Sequence, residues 1–219
     1  MNKVFLYLIY VLLLLPYNSR SQNFISVGGR IGYTFYNSIW DLQDPNITKF
    51  FPNEPKFYNS FLGVYGEFLG KKSLSTYADI SYHNTSYAFE YDMKNNTGEV
   101  IGTNKINSTV QYISVLVQEK IKYGKDNGPQ VYFKAGPRAE IQIKSNIDKD
   151  FQYIFNDANK AVFGYTLTGG VAWSFPQFQV AAECFWHGDI TKTYSSGYGK
   201  IQNNSLGVSL CVGWLKRKK

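Results

Sequence analysis

Asp79, Ser81 and His83 recur at two-residue spacing, and Glu183 and His187 lie four residues apart. On an extended strand both spacings put the side chains on a single face. A Ser–His pair two apart can just approach, and nucleophilic catalysis would need that His held by a carboxylate. The residue types therefore allow a hydrolytic site, and a lipid-active one if the strands cross a membrane. The face that carries them is the polar one, however, turned away from where acyl chains would lie. Serine and histidine in such a setting serve as hydrogen-bond fillers, so a non-enzymatic chain is expected. A lipid-modifying enzyme and a small gated channel stand as alternatives.

The elements that would position these residues are eight segments in which apolar and small or polar residues alternate, at about 24–36, 57–69, 73–86, 108–123, 129–144, 161–175, 178–187 and 201–215. Strict alternation puts one face of each strand in an apolar medium and the other in a polar one. The connections alternate long and short, with long ones around 37–56, 88–107, 145–160 and 188–200. A short helix around 150–160 is expected in the third. The fold class expected is an all-β, eight-stranded antiparallel transmembrane barrel with short periplasmic turns and long extracellular loops.

Alternation assigns Arg30, Glu67, Asp79, Lys120, Lys134, Arg138, Glu140 and Glu183 to the lumen, with Lys144 beside them. Charges of both signs shielded from bulk water are expected to pair into an interior network. An eight-strand barrel is only wide enough to be filled by side chains, so a diffusion porin is not expected. On the outer face, Tyr33, Phe35, Tyr82, Phe163, Tyr165 and Trp186 fall toward the long loops. Phe68, Trp173, Phe175, Phe178 and Trp214 fall toward the short turns. Two aromatic girdles are what membrane interfaces select. Glu119 falls on the lipid face close to a turn, where a charge costs least.

Residues 1–21 read as a secretory signal: Lys3 is the positive region, Val4 to Leu15 the apolar core, and Ser19 and Ser21 precede the cut. Residues 22–215 form the barrel and 216–219 a basic tail. The formal charge of +7 falls to +5 without Lys3 and Arg20, and four of the remaining charges are Lys216, Arg217, Lys218 and Lys219. The tail reads as a solvated end or as a contact with an acidic membrane surface. No basic face with interleaved aromatics of the nucleic-acid kind is present, so no nucleic-acid partner is expected. Cys184 is expected to face lipid and Cys211 the lumen, which forbids a disulfide between them. No spacing for a metal or a cofactor is found. Outer-membrane lipid is the expected surrounding, other envelope proteins the expected partners, and both termini are expected in the periplasm.

The stretch YISVLVQEKIKYGKDNGPQVYFKAGPRAEIQIKS, with Ala135, Gly136 and Pro137 after a Gly-bounded turn, resembles the PorT-like outer-membrane β-barrel proteins of Bacteroidota. FGYTLTGGVAWSF and AECFWHGDIT resemble that family's sixth and seventh strands. The resemblance covers roughly the C-terminal half. It implies an eight-strand barrel in the outer membrane, and its namesake's role implies a link to type IX secretion. It brings no catalytic residues with it. The four basic residues after Trp214-Leu215 depart from the aromatic residue on which such barrels often finish.

Overall fold

A computed structural model describes residues 25–42, 56–68, 73–95, 97–125, 127–149, 152, 158–196 and 199–216. The signal segment, most of the expected helix around 150–160, and residues 217–219 lie outside the described residues.

Runs rich in Val, Ile, Tyr, Phe and Thr, alternating with small and polar residues, fit a pleated surface with two different faces. They form β1 (Ser26–Leu42), β2 (Lys56–Phe68), β3 (Leu74–Lys94), β4 (Val100–Gly124), β5 (Gly128–Asn146), β6 (Ala161–Ser174), β7 (Phe178–Asp189), β8 (Tyr194–Ser195) and β9 (Gly199–Leu215). β8 is a two-residue strand that, among the described residues, pairs with β9 through Tyr194↔Ile201 and Ser195↔Lys200. The other eight are antiparallel to their neighbours, and β1 pairs with both β2 and β9, which closes the barrel. Closure removes the open sheet edges that lipid would leave unsatisfied.

Burial follows the alternation. Along β9, Gly207, Ser209, Cys211 and Gly213 are buried, while Leu206, Val208, Leu210, Val212 and Trp214 are exposed on the outer wall. Cys184 is exposed and Cys211 buried, and both are free thiols. The polar residues are inside and the apolar ones outside, the inverse of a water-soluble core and the arrangement a lipid solvent requires.

Two expectations fail. The segment 88–107 is not a long loop: β3 and β4 continue as a two-stranded ribbon, from Ala88↔Asn107 to Lys94↔Val100. Its turn is drawn tight by Asn95, whose Oδ1 accepts from the Thr97 and Glu99 amides at 3.0 and 2.9 Å. This Asx geometry lets a polar, Asn-rich stretch close a hairpin. Lys144, expected in the lumen, is exposed. The β4–β5 register shifts where Gln111 pairs with Lys144 but Tyr112 pairs with Gln142. Ile143 is the extra residue of this bulge, and beyond it the faces exchange.

Candidate functional site

The lumen holds three clusters of charge, stacked from the short-turn end to the long-loop end. In the first, Glu67 of β2 accepts from Lys120 Nζ at 2.7 Å, Ser75 Oγ at 2.7 Å and Lys122 Nζ at 3.2 Å. Lys120 and Lys122 lie two apart on β4, so both reach the same carboxylate from one face.

The second is centred on Glu183 of β7. Its Oε1 accepts from Lys134 Nζ and from the Tyr132 hydroxyl, each at 2.6 Å. Its Oε2 accepts from Ser209 Oγ at 3.2 Å and lies 3.4 Å from Arg30 Nε. Arg30 Nη1 lies 3.7 Å from Asp79 Oδ2, and its guanidinium sits over the rings of Phe61 and Phe185 at 4.9 and 4.7 Å. Lys134 Nζ rests 3.6 Å above the Tyr77 ring. Cation–π contacts strengthen as the cation loses contact with solvent, and Arg30 and Lys134 are both buried.

These rings fit because glycine lies opposite them. Tyr132 pairs directly with Gly170, and a Cβ on Gly170 would stand 2.4 Å from the Tyr132 ring. Phe185 pairs with Gly207 in the same way, where a Cβ would stand 2.2 Å from the ring. The missing side chain is the space into which each ring folds.

In the third cluster, Arg138 of β5 bonds Glu140 at 2.6 Å and also Asp189 of β7. His83 Nε2 lies 3.3 Å from Glu140 Oε1, and its ring stacks on Tyr112 at 5.6 Å. Asp189 Oδ2 accepts from Thr193 and from the Asn203 amide at 3.2 and 3.3 Å, and so ties the β7–β9 connection to the barrel. Between the second and third clusters, Arg30, Ser81, His83, Arg138, Glu140 and His187 line a cavity of about 20 Å³. That is room for a water and not for a solute.

The expected site residues are distributed accordingly. All eight lumenal charges are buried and fall into these clusters: Glu67 with Lys120, Arg30 and Asp79 with Lys134 and Glu183, and Arg138 with Glu140. Ser81 and His83 do share a face, but the carboxylate beside His83 is Glu140 of β5, while Asp79 faces Arg30. His187 packs on Phe185 at 4.6 Å between centroids. Among the described residues, no group of His, Cys, Asp and Glu is placed to hold a metal ion. Sequence reasoning missed Lys122, Asp189, Phe61 and Phe185. Lys122, Asp189 and Phe185 each lie two positions from an assigned residue and Phe61 six from Glu67, so all are in phase, which is the signal that could have found them.

On the outer wall, Tyr33, Phe35, Tyr82, Tyr165, Trp173, Phe175, Phe178 and Trp214 are exposed, and Phe163 and Trp186 are half-buried. The register sets Leu206 between Phe35 and Trp186, and Trp214 between Val27 and Phe178. Tyr165 meets Trp186 edge-on at 5.2 Å toward the long-loop end, and Phe175 stacks on Phe178 at 4.4 Å at the short-turn end. Glu119 is exposed and accepts from Thr76 Oγ1 at 2.9 Å across the strand pair. The β3–β4 ribbon extends past the strands that flank it: β2 reaches β3 only as far as Phe61↔His83, and β5 reaches β4 only as far as Thr109↔Asn146. Met93, Val100 and Ile101 near its tip are exposed.

Comparison with known proteins agrees with this architecture. No curated protein sequence matches the chain. Among solved structures, the outer membrane protein OprG from Pseudomonas aeruginosa is 10% identical, with 89% of this chain and 97% of that one covered at a TM-score of 0.50. Ail, the attachment invasion locus protein of Yersinia pestis, solved with the heparin analogue sucrose octasulfate, is 13% identical over 88% of this chain and 99% of its own, at a TM-score of 0.41. The outer membrane protease OmpT from Escherichia coli is 10% identical over 91% and 99%, at 0.43. At 10% identity the likeness to OprG is one of fold alone. A family model described as an outer membrane protein beta-barrel domain matches residues 17–186, well over half of the chain. With the polar face inward, the apolar face outward and the sheet closed, this chain belongs to the outer membrane protein beta-barrel domain family.

Proposed function

We propose that this protein is a non-enzymatic barrel with an interaction or accessory role in the outer membrane, where a closed, ion-paired lumen holds binding segments rigidly outside. The observation that carries the reading is that all of the lumenal charges are buried and paired in three clusters, with room for only a water between the second and the third. The charged side chains of this interior are buried and paired with one another, which moves function to the rims and to the β3–β4 ribbon. Loops and ribbons on a rigid scaffold are where binding usually resides. The orientation that fits has the short turns and both termini in the periplasm and the ribbon outside, with lipid around the wall and other envelope proteins as partners. The PorT-like resemblance over the C-terminal half supports an accessory role in secretion of the type IX kind.

Cross-linking of outer membranes followed by purification of this chain tests the reading. A discrete protein partner that is lost when residues 88–106 are replaced by a short turn supports it. Altered lipid profiles on deletion of the protein, restored by wild type and not by His83→Ala, would overturn it in favour of a lipid-active enzyme.

A further inference from the structure

Two arginines face the space between the second and third charge clusters, and each has one nitrogen left over. Arg30 Nε donates to Ser209 Oγ at 3.1 Å and Nη1 lies 3.7 Å from Asp79, while Nη2 is buried without a hydrogen-bond partner. Arg138 donates from Nη1 to Glu140 and from Nη2 to Asp189, and its Nε is left in the same way. His83 Nε2 lies 3.3 Å from Glu140 Oε1 but out of hydrogen-bond geometry, and His187 Nδ1 is also buried without a partner. All four residues line the cavity of about 20 Å³, and each is more than nine-tenths buried. Among the side-chain atoms of the cavity wall, the ones without a partner are these four nitrogens, with no oxygen among them.

A guanidinium nitrogen only donates, whereas the free imidazole nitrogen accepts when the ring is neutral and donates when it is charged. With neutral histidines one water satisfies the set, accepting from Arg30 and Arg138 and donating to His83 and His187. With charged histidines all four nitrogens donate, and a water's two lone pairs no longer suffice. The charge changes in step. With every carboxylate ionised, the two clusters hold three cations, Arg30, Lys134 and Arg138, against four anions, Asp79, Glu140, Glu183 and Asp189. Protons on His83 and His187 make it five cations against four, an excess that one monovalent anion cancels. The tyrosines of this region add no charge: Tyr36 and Tyr112 stack on His83 at 6.5 and 5.6 Å, Tyr77 lies under Lys134, and Tyr132 donates to Glu183. β2, β6 and β9 set Phe61, Thr166 and Ser205 opposite the two histidines, and none of these titrates.

We infer that this cavity is a halide site switched on by acid, in which one chloride replaces the water and is held by Arg30 Nη2, Arg138 Nε, His83 Nε2 and His187 Nδ1. The space is somewhat more than the roughly 10–15 Å³ that a water needs, so a monoatomic anion fits where phosphate, sulfate or a carboxylate does not. Proton and halide support one another. The halide offsets two new charges placed beside two arginines, and the protons complete the donor set that holds the halide. Binding to the folded barrel alone then raises its stability by mass action.

The test refolds the full chain in detergent in sodium chloride, sodium bromide or sodium gluconate at equal ionic strength, so that the ion needs no path through the closed lumen. Urea unfolding is followed at about pH 5 and about pH 8, on either side of the ordinary histidine range. At the lower pH the midpoint is expected to be higher in chloride and bromide than in gluconate. The folded-to-unfolded ratio is expected to rise about tenfold for each tenfold rise in halide above its dissociation constant. At the higher pH the three salts are expected to give the same midpoint. His83→Phe keeps a ring between Tyr36 and Tyr112 but removes a donor and a proton, and is expected to abolish the halide advantage. Lys149→Gln, an exposed change, is expected to retain it. Equal midpoints in the three salts at the lower pH, an equal halide advantage at the higher pH, or an advantage kept in full by His83→Phe would each overturn the inference. If His83→Phe does not fold, wild-type crystals grown in bromide at the two pH values decide by anomalous scattering. An ordered bromide among the four nitrogens at the lower pH alone is expected, and its absence there or its presence at both would overturn the inference.

Discussion

Lys134 of β5 and Glu183 of β7 meet at 2.6 Å in the centre of the lumen, reaching past the whole of β6 that lies between their strands. Neither side chain has appreciable contact with solvent. Burying two charges is costly, and attraction repays the cost only where hydrogen bonds complete the geometry. Here Tyr132, Ser209 and Arg30 supply that completion around one carboxylate.

Glu183→Ala is therefore expected to lower stability by about 3–5 kcal/mol, because it leaves Lys134 and Arg30 buried without their shared counter-charge. Urea unfolding in lipid vesicles, followed by tryptophan fluorescence, measures it. The double change Lys134→Met with Glu183→Leu is expected to cost less than Glu183→Ala alone. Equal or greater loss in the double variant would mean that the pair is not the unit of interaction.

Gly170→Val is expected to displace the Tyr132 ring and to cost about 1–3 kcal/mol, the usual range for overpacking a filled interior. Gly169→Ala, one residue away on the open outer face with nothing within 4 Å of the added carbon, is expected to be neutral. The temperature of the gel shift, compared across the two variants, checks both.

A small apolar maleimide is expected to modify the folded protein in detergent once, at Cys184, and to reach Cys211 only after unfolding. Peptide mass mapping identifies the thiol. Modification of Cys211 in the folded state would place β9 out of its observed register.

Replacing residues 88–106 by a short turn is expected to leave the barrel folded, because that ribbon is two strands wide and adds nothing to the closed wall. The gel shift reports folding, and its loss would show that the ribbon is part of the stable core.

Much of this was readable along the chain and some was not, for physical reasons. Alternation with period two placed Arg30, Glu183 and Cys211 inward and Trp173, Trp214 and Cys184 outward, because a strand's faces depend only on its own sequence. The bulge at Ile143 broke that rule locally and turned Lys144 outward, since an unpaired residue is a property of two strands together. The ribbon was hidden by the Asn-rich composition of 88–107, where turn-forming residues lie inside a hairpin whose stability comes from pairing. Which charges meet was also hidden. That Glu183 would take Lys134 rather than a residue of the adjoining β6 depends on the stagger of strands in a closed barrel, which no single strand encodes. The seating of Phe185 against Gly207 is hidden for the same reason, as it exists only once β7 and β9 are in register.

The account rests on a lumen that is a filled core and not a path. Planar-bilayer recording of the purified wild-type barrel tests this most directly. No conductance steps are expected from the wild type at any ionic strength. Reproducible steps of one size, present with the wild type and altered in amplitude by Lys134→Met with Glu183→Leu, would contradict it and make the lumen itself the functional site.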